Sequence, residues 1–382
     1  MHRRREDRAR MLAVGAATAA AATAVGGALW MWAGGDLGRA GGGSPAAGAT
    51  SFGPRIDCAQ EGQLPGSGAT AQYSAMRWWI EEYQWACPGA QVAYKPLSSG
   101  GGVAQFMQGV TAFGSTDGAL TPDEVEQSRD VCPGGRGIDL PMAGGAIAIG
   151  YNLPGVDDLV LDAPVLAKIF DSRIERWDAP AIRKLNPRAD LPDLPIHAVH
   201  RLDASGTTEN FSAYLAASAP RLWPYPASKS WQARDGHSAQ GPEGVASQVA
   251  ATKGAVGYLV LPSASASGIP TARIDTGARE PVTPSPKTAS AALARAQVVG
   301  TGKDVTLRFD YSTRDADTYP IVLVTYEIMC DKGNRAAILP ILKSFLAYTA
   351  GEEGQKVLPA LDYAPLPEHI AARVRATIRT LS

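Results

Sequence analysis

The segment on which the fold depends is His200-Arg201-Leu202-Asp203-Ala204-Ser205-Gly206-Thr207-Thr208-Glu209-Asn210-Phe211. It follows the strand-like run 196–199 and continues into a helix-like pattern whose apolar positions are Phe211, Tyr214 and Leu215. A strand therefore ends here, the chain turns through Ser-Gly-Thr, and a helix begins. The first amides of a helix have no partner within the helix and carry partial positive charge. This turn is therefore suited to hold a tetrahedral anion.

The side chains of this turn suit the same chemistry. Ser205 and Thr207 supply hydroxyl groups, and Gly206 lets the backbone approach a ligand closely. Arg201 ends the strand with a planar set of N–H groups that matches a phosphate edge, and Asp203 can hold that guanidinium in place. We hypothesise that the turn binds an inorganic oxyanion. The alternative is an ordinary helix with a serine or threonine N-cap and an acidic residue in its first turn.

Length and composition exclude several classes of protein. The 382 residues, of which 45% are apolar, suffice for two lobes with substantial cores. The net charge of −1 predicts no broad basic surface, and hence no nucleic-acid binding. The motifs of nucleophile elbows, zinc peptidases and phosphate loops do not occur in the sequence, and the five histidines are not at ligand spacing. We therefore expect neither an enzyme nor a bound metal or other cofactor.

The N-terminal segment 1–33 is typical of a signal peptide or a membrane anchor. A basic start precedes an uncharged, alanine-rich run at 11–33. This pattern is found in cleaved secretion signals, and the run is also long enough for a bilayer, which needs about 20 residues. We slightly favour the anchor. Residues 34–56 are rich in Gly, Ala, Ser and Pro and predict a flexible linker, so the folded body is expected outside the cytoplasmic membrane, at the cell surface or in the periplasm.

Two further segments repeat the strand–turn–helix pattern. One strand runs into the glycine turn 66–70, and another runs from 91–94 into the Ser-Ser-Gly-Gly-Gly turn 98–102. A fourth strand, within 112–120, carries Asp117 near its end, and the next helix begins with Thr121 as its cap. One such turn is a weak signal, but three turns with Ser or Thr favour a shared anion site. The alternation of strands and helices predicts mainly parallel sheets covered on both faces.

The remaining regular elements follow from apolar patterns. Strands are expected at 146–152, 254–260 and 319–328, and helices at 161–170, 174–182, 336–348 and 369–381, with a loop at 263–288. No C-x-x-C pair occurs among the four cysteines, and their even number after an export segment predicts disulfides. Because a helix returns beside the strand before it, we expect Cys58 to pair with Cys87. Cys132 and Cys330 then pair by elimination.

Four segments together resemble the phosphate-binding protein of the high-affinity phosphate ABC importer, especially its actinobacterial forms. They are Gly66-Ser67-Gly68-Ala69-Thr70, Ser98-Ser99-Gly100-Gly101-Gly102, Phe113-Gly114-Ser115-Thr116-Asp117 and Arg201-Leu202-Asp203-Ala204-Ser205-Gly206-Thr207. The resemblance extends from about Cys58 to the C-terminus, in the order and spacing of the family. It implies an α/β fold of the two-lobed periplasmic-binding-protein (Venus flytrap) type, with two mixed sheets flanked by helices and joined by a two-strand hinge. Lobe 1 would comprise 57–138 plus 319–382, and lobe 2 would comprise 139–318.

The resemblance also implies a ligand and a partner. Inorganic phosphate would lie in the interlobe cleft, and a monomer would deliver it to the permease subunits of an ABC transporter. The implied ligating residues are Thr70, Ala71, Ser99, Asp117, Arg201, Ser205, Gly206 and Thr207, with Asp203 in support. The family usually has phenylalanine where this chain has Ala71, whose backbone amide is the implied donor.

The resemblance gives Asp117 a specific role. Phosphate retains a proton near neutral pH, since its second pKa is near 6–7 by analogy with about 6 for phosphoserine. A carboxylate can accept that P–O–H group, whereas sulfate has no proton to donate and would be repelled. The alternative functions are a receptor for a related oxyanion, a phosphate sensor, a secreted phosphatase and an adhesive protein that has lost its ligand.

Overall fold

Strands and helices alternate along the chain, as the sequence predicts. The computed structural model describes residues 56–59 and 61–382, so the predicted signal or anchor and nearly all of the predicted linker lie outside the described residues. The elements are β1 (Gly62–Gly68), α1 (Tyr73–Ala86), β2 (Ala90–Pro96), α2 (Ser99–Met107), β3 (Phe113–Thr116), α3 (Pro122–Gln127), β4 (Gly137–Tyr151), β5 (Val160–Asp162), α4 (Ala163–Phe170), α5 (Pro180–Leu185), β6 (His197–Arg201), α6 (Gly206–Ser218), β7 (His237–Ala239), α7 (Gly241–Ala251), β8 (Ala255–Val260), α8 (Leu261–Ala266), β9 (Arg273–Asp275), α9 (Pro286–Arg295), β10 (Gln297–Val298), β11 (Leu307–Arg308), β12 (Val322–Cys330), α10 (Leu339–Thr349), α11 (Glu352–Lys356) and α12 (Glu368–Arg379). Within this described part, no helix is both long and apolar enough to cross a membrane.

Eight strands form one continuous sheet in the order β2-β1-β3-β12-β4-β8-β6-β7. The outer strands at both ends pair in parallel, whereas β12 and β4 pair antiparallel with each other and with their outer neighbours. The expected mainly parallel arrangement therefore holds only at the two ends. The two mixed sheets that the resemblance implies share the long strand β4.

The two central strands pass from one hydrophobic core to another. In β4, Ala143 packs in a core around Trp79, whereas Ala146 packs in a core around Trp177. In β12, Leu323 packs in the core around Trp177, and the next residue, Val324, packs in the core around Trp79. We call the elements on the core around Trp79, together with α2 and α3 on the small adjoining core around Phe106, the first half, and those on the core around Trp177 the second half. The paired strands β4 and β12 connect these halves.

Local sequence explains several helix starts. Thr121 caps α3 with a reciprocal capping box, and a proline occupies the first turn as predicted. Asp162 caps α4 by accepting a hydrogen bond from the amide of Val165 at 2.7 Å. Each such cap contributes about 1 kcal/mol. These caps fix the points at which the chain passes from a strand into the next helix.

The structure corrects three boundaries. The expected loop 263–288 contains the end of α8, all of β9 and the start of α9. These elements are too short to produce a clear periodic pattern. The strand expected at 146–152 begins nine residues earlier, because pairing with β12 holds a stretch rich in glycine and proline in extended form. The helix expected at 174–182 forms only as α5.

Both predicted disulfides are confirmed. Cys58 and Cys87 are bonded with their Cα atoms 5.5 Å apart, and Cys132 and Cys330 with theirs 5.3 Å apart. The second bridge joins residues separated by 198 positions. Cross-links that close loops of tens to hundreds of residues stabilise by about 3–5 kcal/mol in the chain-entropy model. The second bridge fastens the end of β12 to the segment that leads into β4.

Candidate anion-binding site

Residues from the two halves meet at the ends of β3 and β6. Oγ of Ser99, the first residue of α2, donates a hydrogen bond of 3.1 Å to Oδ2 of Asp117. The same oxygen accepts a hydrogen bond of 3.0 Å from the amide of Gly206, the first residue of α6. A Cβ at Gly206 would lie 2.6 Å from Cβ of Asp117, so only glycine allows this approach. The first half and the second half are therefore in direct contact at the predicted turns.

Arg201 is buried at the same place and bridges the halves. Its Nε donates a hydrogen bond of 2.7 Å to Oδ1 of Asp203, and its Nη2 bonds the other carboxylate oxygen. Nη2 also donates to Oγ1 of Thr70 in the first half at 3.3 Å. Burial acts to raise the pKa of Asp203, but the hydrogen bonds and charge of Arg201 lower it overall. Asp203 therefore remains ionised and orients the guanidinium, as the sequence suggested.

Asp117 is nearly inaccessible, with 3% of its surface exposed. Burial raises its pKa to about 7, although the hydrogen bond from Ser99 and the charge of Arg201 act in the opposite direction. Its Oδ1 has no hydrogen-bond partner among the residues that the structure describes, and the same is true of Oγ1 of Thr207. A buried carboxyl group whose pKa is shifted towards neutrality is typical of a functional site.

Ser205 is the N-cap of α6. Its Oγ accepts hydrogen bonds from the amides of Thr207 at 3.1 Å and Thr208 at 3.5 Å. The ordinary capped helix that we considered as an alternative is thus present. It is also part of the convergent site, because the amide of Gly206, which has no partner within the helix, donates to Ser99 of the other half.

Thr70 and Ala71 lie in the turn between β1 and α1. Ala71 is buried, and its carbonyl accepts a hydrogen bond of 2.7 Å from the hydroxyl of Tyr363. That hydroxyl also lies 2.9 Å from Oγ of Ser74 in α1. Tyr363 therefore fixes the turn from the C-terminal part of the chain.

Two residues that sequence reasoning missed support the site. Nδ2 of Asn210 donates to the carbonyls of Asp117 and Gly206, both at 2.8 Å, and so joins the halves. The hydroxyl of Tyr258 accepts from the amide of Arg201 at 3.1 Å. Asn210 lies one helical turn after Gly206 in the segment quoted first, which is the signal that could have identified it.

An ion pair between the halves lies beside the site. Nζ of Lys229 is 3.6 Å from Oε1 of Glu124 in α3, and both side chains are partly buried. The carbonyl of Lys229 accepts a hydrogen bond of 2.8 Å from the amide of Ser205. Glu209 packs against Gly118 in the same region, and burial raises its pKa while the charge of Lys229 lowers it. In the described residues, no group of three or more His, Cys, Asp or Glu side chains is placed to hold a metal ion.

A candidate anion site between two halves that share a pair of strands is typical of hinged solute-binding proteins. The model of a PBP superfamily domain matches residues 44–353. The phosphate-binding protein PstS 3 of Mycobacterium tuberculosis is 36% identical over 331 residues, which cover 86% of this chain and 89% of that protein. PstS 2 of the same organism is 34% identical, with 89% and 92% covered. The chain therefore belongs to the PBP superfamily and, within it, to the family of PstS phosphate-binding proteins.

Solved structures confirm the predicted fold. A periplasmic phosphate-binding protein that was determined with bound phosphate superimposes with a TM-score of 0.66 at 21% identity, covering 82% of this chain and 93% of that one. A phosphate-binding protein from Stenotrophomonas maltophilia gives a TM-score of 0.65 at 18% identity, with the same coverage. At these identities, the likeness establishes the two-lobed architecture.

Proposed function

We propose that this protein binds inorganic phosphate between its two halves and delivers it to the permease subunits of an ABC transporter. The observation that carries the proposal is the contact of Ser99 and Asp117 in the first half with Gly206 in the second, beside the guanidinium of Arg201. The names of the PstS relatives support the choice of phosphate.

The proposed ligands act by hydrogen bonding and charge. The residues are Thr70, Ala71 through its amide, Ser99, Asp117, Arg201, Ser205, Gly206 and Thr207, while Asp203 orients the guanidinium. Amides at the starts of α2 and α6 direct partial positive charge to the ion. A phosphate that keeps one proton donates it in a hydrogen bond to ionised Asp117. Sulfate offers no such donor, and a site built around one buried hydrogen bond discriminates by about 10⁴ or more.

Closure follows from the placement of these ligands. A phosphate that contacts both halves favours the closed arrangement, because only that arrangement provides all the contacts. We propose that 57–138 plus 319–382 and 139–318 move as the two lobes, with each crossing point a few residues later in the chain, inside β4 and β12. The strands β4 and β12, which pass between the two cores, are the hinge.

The proposed location is the outer face of the cytoplasmic membrane. Residues 1–33 serve as signal or anchor, residues 34–56 as a tether, and the folded body works as a monomer without covalent chemistry. The two disulfides fit an oxidising compartment.

Calorimetric titration of the purified full chain tests the function. We expect saturable binding of one phosphate per chain, unchanged by an excess of sulfate. Titration with a phosphomonoester should show no turnover. Absence of phosphate binding, or equal binding of sulfate, contradicts the proposal.

A further inference from the structure

A buried carboxylic acid lies directly behind the anion-binding turns. Glu327 belongs to the hinge strand β12, and 1% of its surface is exposed. Its Oε1 accepts a hydrogen bond of 2.7 Å from Nε2 of Gln72, which also contacts Oγ of Ser115. The proposed phosphate ligands do not include any of these three residues.

Gln72, the hydrogen-bond partner of Glu327, and Ser115, which Gln72 also contacts, belong to the two turns of the first half. Gln72 is two residues after Thr70 and occupies the N-cap position of α1. Ser115 is two residues before Asp117 and lies opposite Glu327 in the antiparallel pairing of β3 with β12. One carboxyl group therefore fixes both turns against the hinge strand.

The surroundings of Glu327 do not favour a charge. Burial, together with the negative charge of Asp117, raises its pKa well above the usual value despite the hydrogen bond from Gln72. The other titratable group facing it is Tyr94 in β2, whose hydroxyl donates to the carbonyl of Ala69 at 2.8 Å, and its neighbour in β4 is Leu140. No cation pairs with it within the described part of the chain. A buried carboxylate without a cation is strongly disfavoured.

We propose that Glu327 is a positioning residue that works as an uncharged acid, holding Gln72 and, through it, Ser115, and so positioning Thr70 and Asp117 without adding a charge beside the bound ion. The inference rests on the proposed phosphate function. An uncharged acid at this position, unlike a merely structural residue, makes phosphate affinity depend on pH. When Glu327 ionises at alkaline pH, a second negative charge lies behind Asp117 and repels the phosphate.

Two substitutions separate the hydrogen bond from the charge. Glu327→Gln keeps an oxygen acceptor for Gln72 and cannot ionise, so we expect phosphate affinity within about twofold of wild type near pH 7, since the hydrogen bond is retained. Glu327→Met has similar length and no comparable acceptor. It leaves a buried N–H group without a partner, so we expect binding to weaken on the order of tenfold.

The pH profile is the decisive comparison. Calorimetry on the full chain from about pH 6 to about pH 10 should show wild-type affinity falling relative to Glu327→Gln as the acid ionises. Infrared spectra near neutral pH should show a protonated carboxyl band that Glu327→Gln lacks. Parallel pH profiles, wild-type affinity in Glu327→Met, or absence of that band each overturn the inference. If Glu327→Met does not fold, the pH comparison and the infrared band decide. If wild type does not bind phosphate, the proposed function is contradicted instead. The infrared band of the protonated carboxyl group then still tests whether Glu327 is uncharged.

Discussion

Gly206→Ala separates closure of the two halves from their folding. A Cβ at this position would lie 2.6 Å from Cβ and 2.9 Å from Cα of Asp117. Carbon atoms in contact lie about 3.5–4.0 Å apart, so the start of α6 must withdraw by about 1 Å. The 3.0 Å hydrogen bond from the amide of Gly206 to Ser99 is then lost. Loss of this bond in a buried site costs about 1–3 kcal/mol, and we therefore expect phosphate affinity to fall roughly 5- to 150-fold.

The clash is between residues of opposite halves, so it is absent when the halves are apart in an open, ligand-free molecule. We therefore expect the free energy of unfolding without phosphate to change by less than about 1 kcal/mol, the scale of a glycine-to-alanine change in a helix. Calorimetry gives the affinity and chemical denaturation gives the stability. Gly244→Ala in α7 is the matched control, because its Cβ would lie at an ordinary 3.5 Å from Cβ of Ala239. Affinity of Gly206→Ala within about twofold of wild type, less than the loss of one buried hydrogen bond, would refute the proposed contact of the halves.

Four further outcomes are expected. Asp117→Asn should let sulfate compete with phosphate in calorimetry, because the carboxylate that repels sulfate is gone; an unchanged preference would remove Asp117 from this role. Burial between the halves raises the pKa of Asp117 to about 7, so the closed arrangement binds a proton that an exposed aspartate releases above about pH 4. Closure without phosphate should therefore become less favourable between about pH 4 and pH 7 relative to Asp117→Asn, and small-angle scattering profiles that respond to pH in parallel would contradict the sign. Arg201→Ala should weaken binding by about 3–5 kcal/mol, because it removes the buried positive charge that pairs with the phosphate, and a change of about threefold or less would place Arg201 outside the site. Lys229→Gln should raise the phosphate dissociation rate about two- to fivefold, since a partly buried ion pair between the halves contributes about 0.5–1 kcal/mol. Stopped-flow dissociation rates equal to wild type would show that the pair with Glu124 does not hold the closed state.

Much of the site could be predicted because its chemistry is local. Arg201 and Asp203 are two residues apart, and the cap at Ser205 follows from the strand–turn–helix pattern alone. The three glycine turns were recognisable for the same reason. Their convergence at one place came from the family resemblance, because nothing in the spacing of Ser99 and Gly206 indicates that they touch.

The missed features depend on partners far away in the chain. Asn210 bonds a carbonyl 93 residues distant, and Gln72 bonds Glu327 across 255 residues. The first part of β4 contains glycines and a proline, which are rare in strands, so its extended form depends on pairing with β12. Periodicity cannot reveal contacts of this kind. They become visible only when the sheet order is known.

A crystal structure of the full chain with phosphate tests the location of the ligand. We expect tetrahedral density between the two halves, within hydrogen-bond distance of Ser99, Asp117, Arg201 and the amide of Gly206. Phosphate bound at another place, with Ser99 still bonded to Asp117 and to the amide of Gly206, would contradict the account.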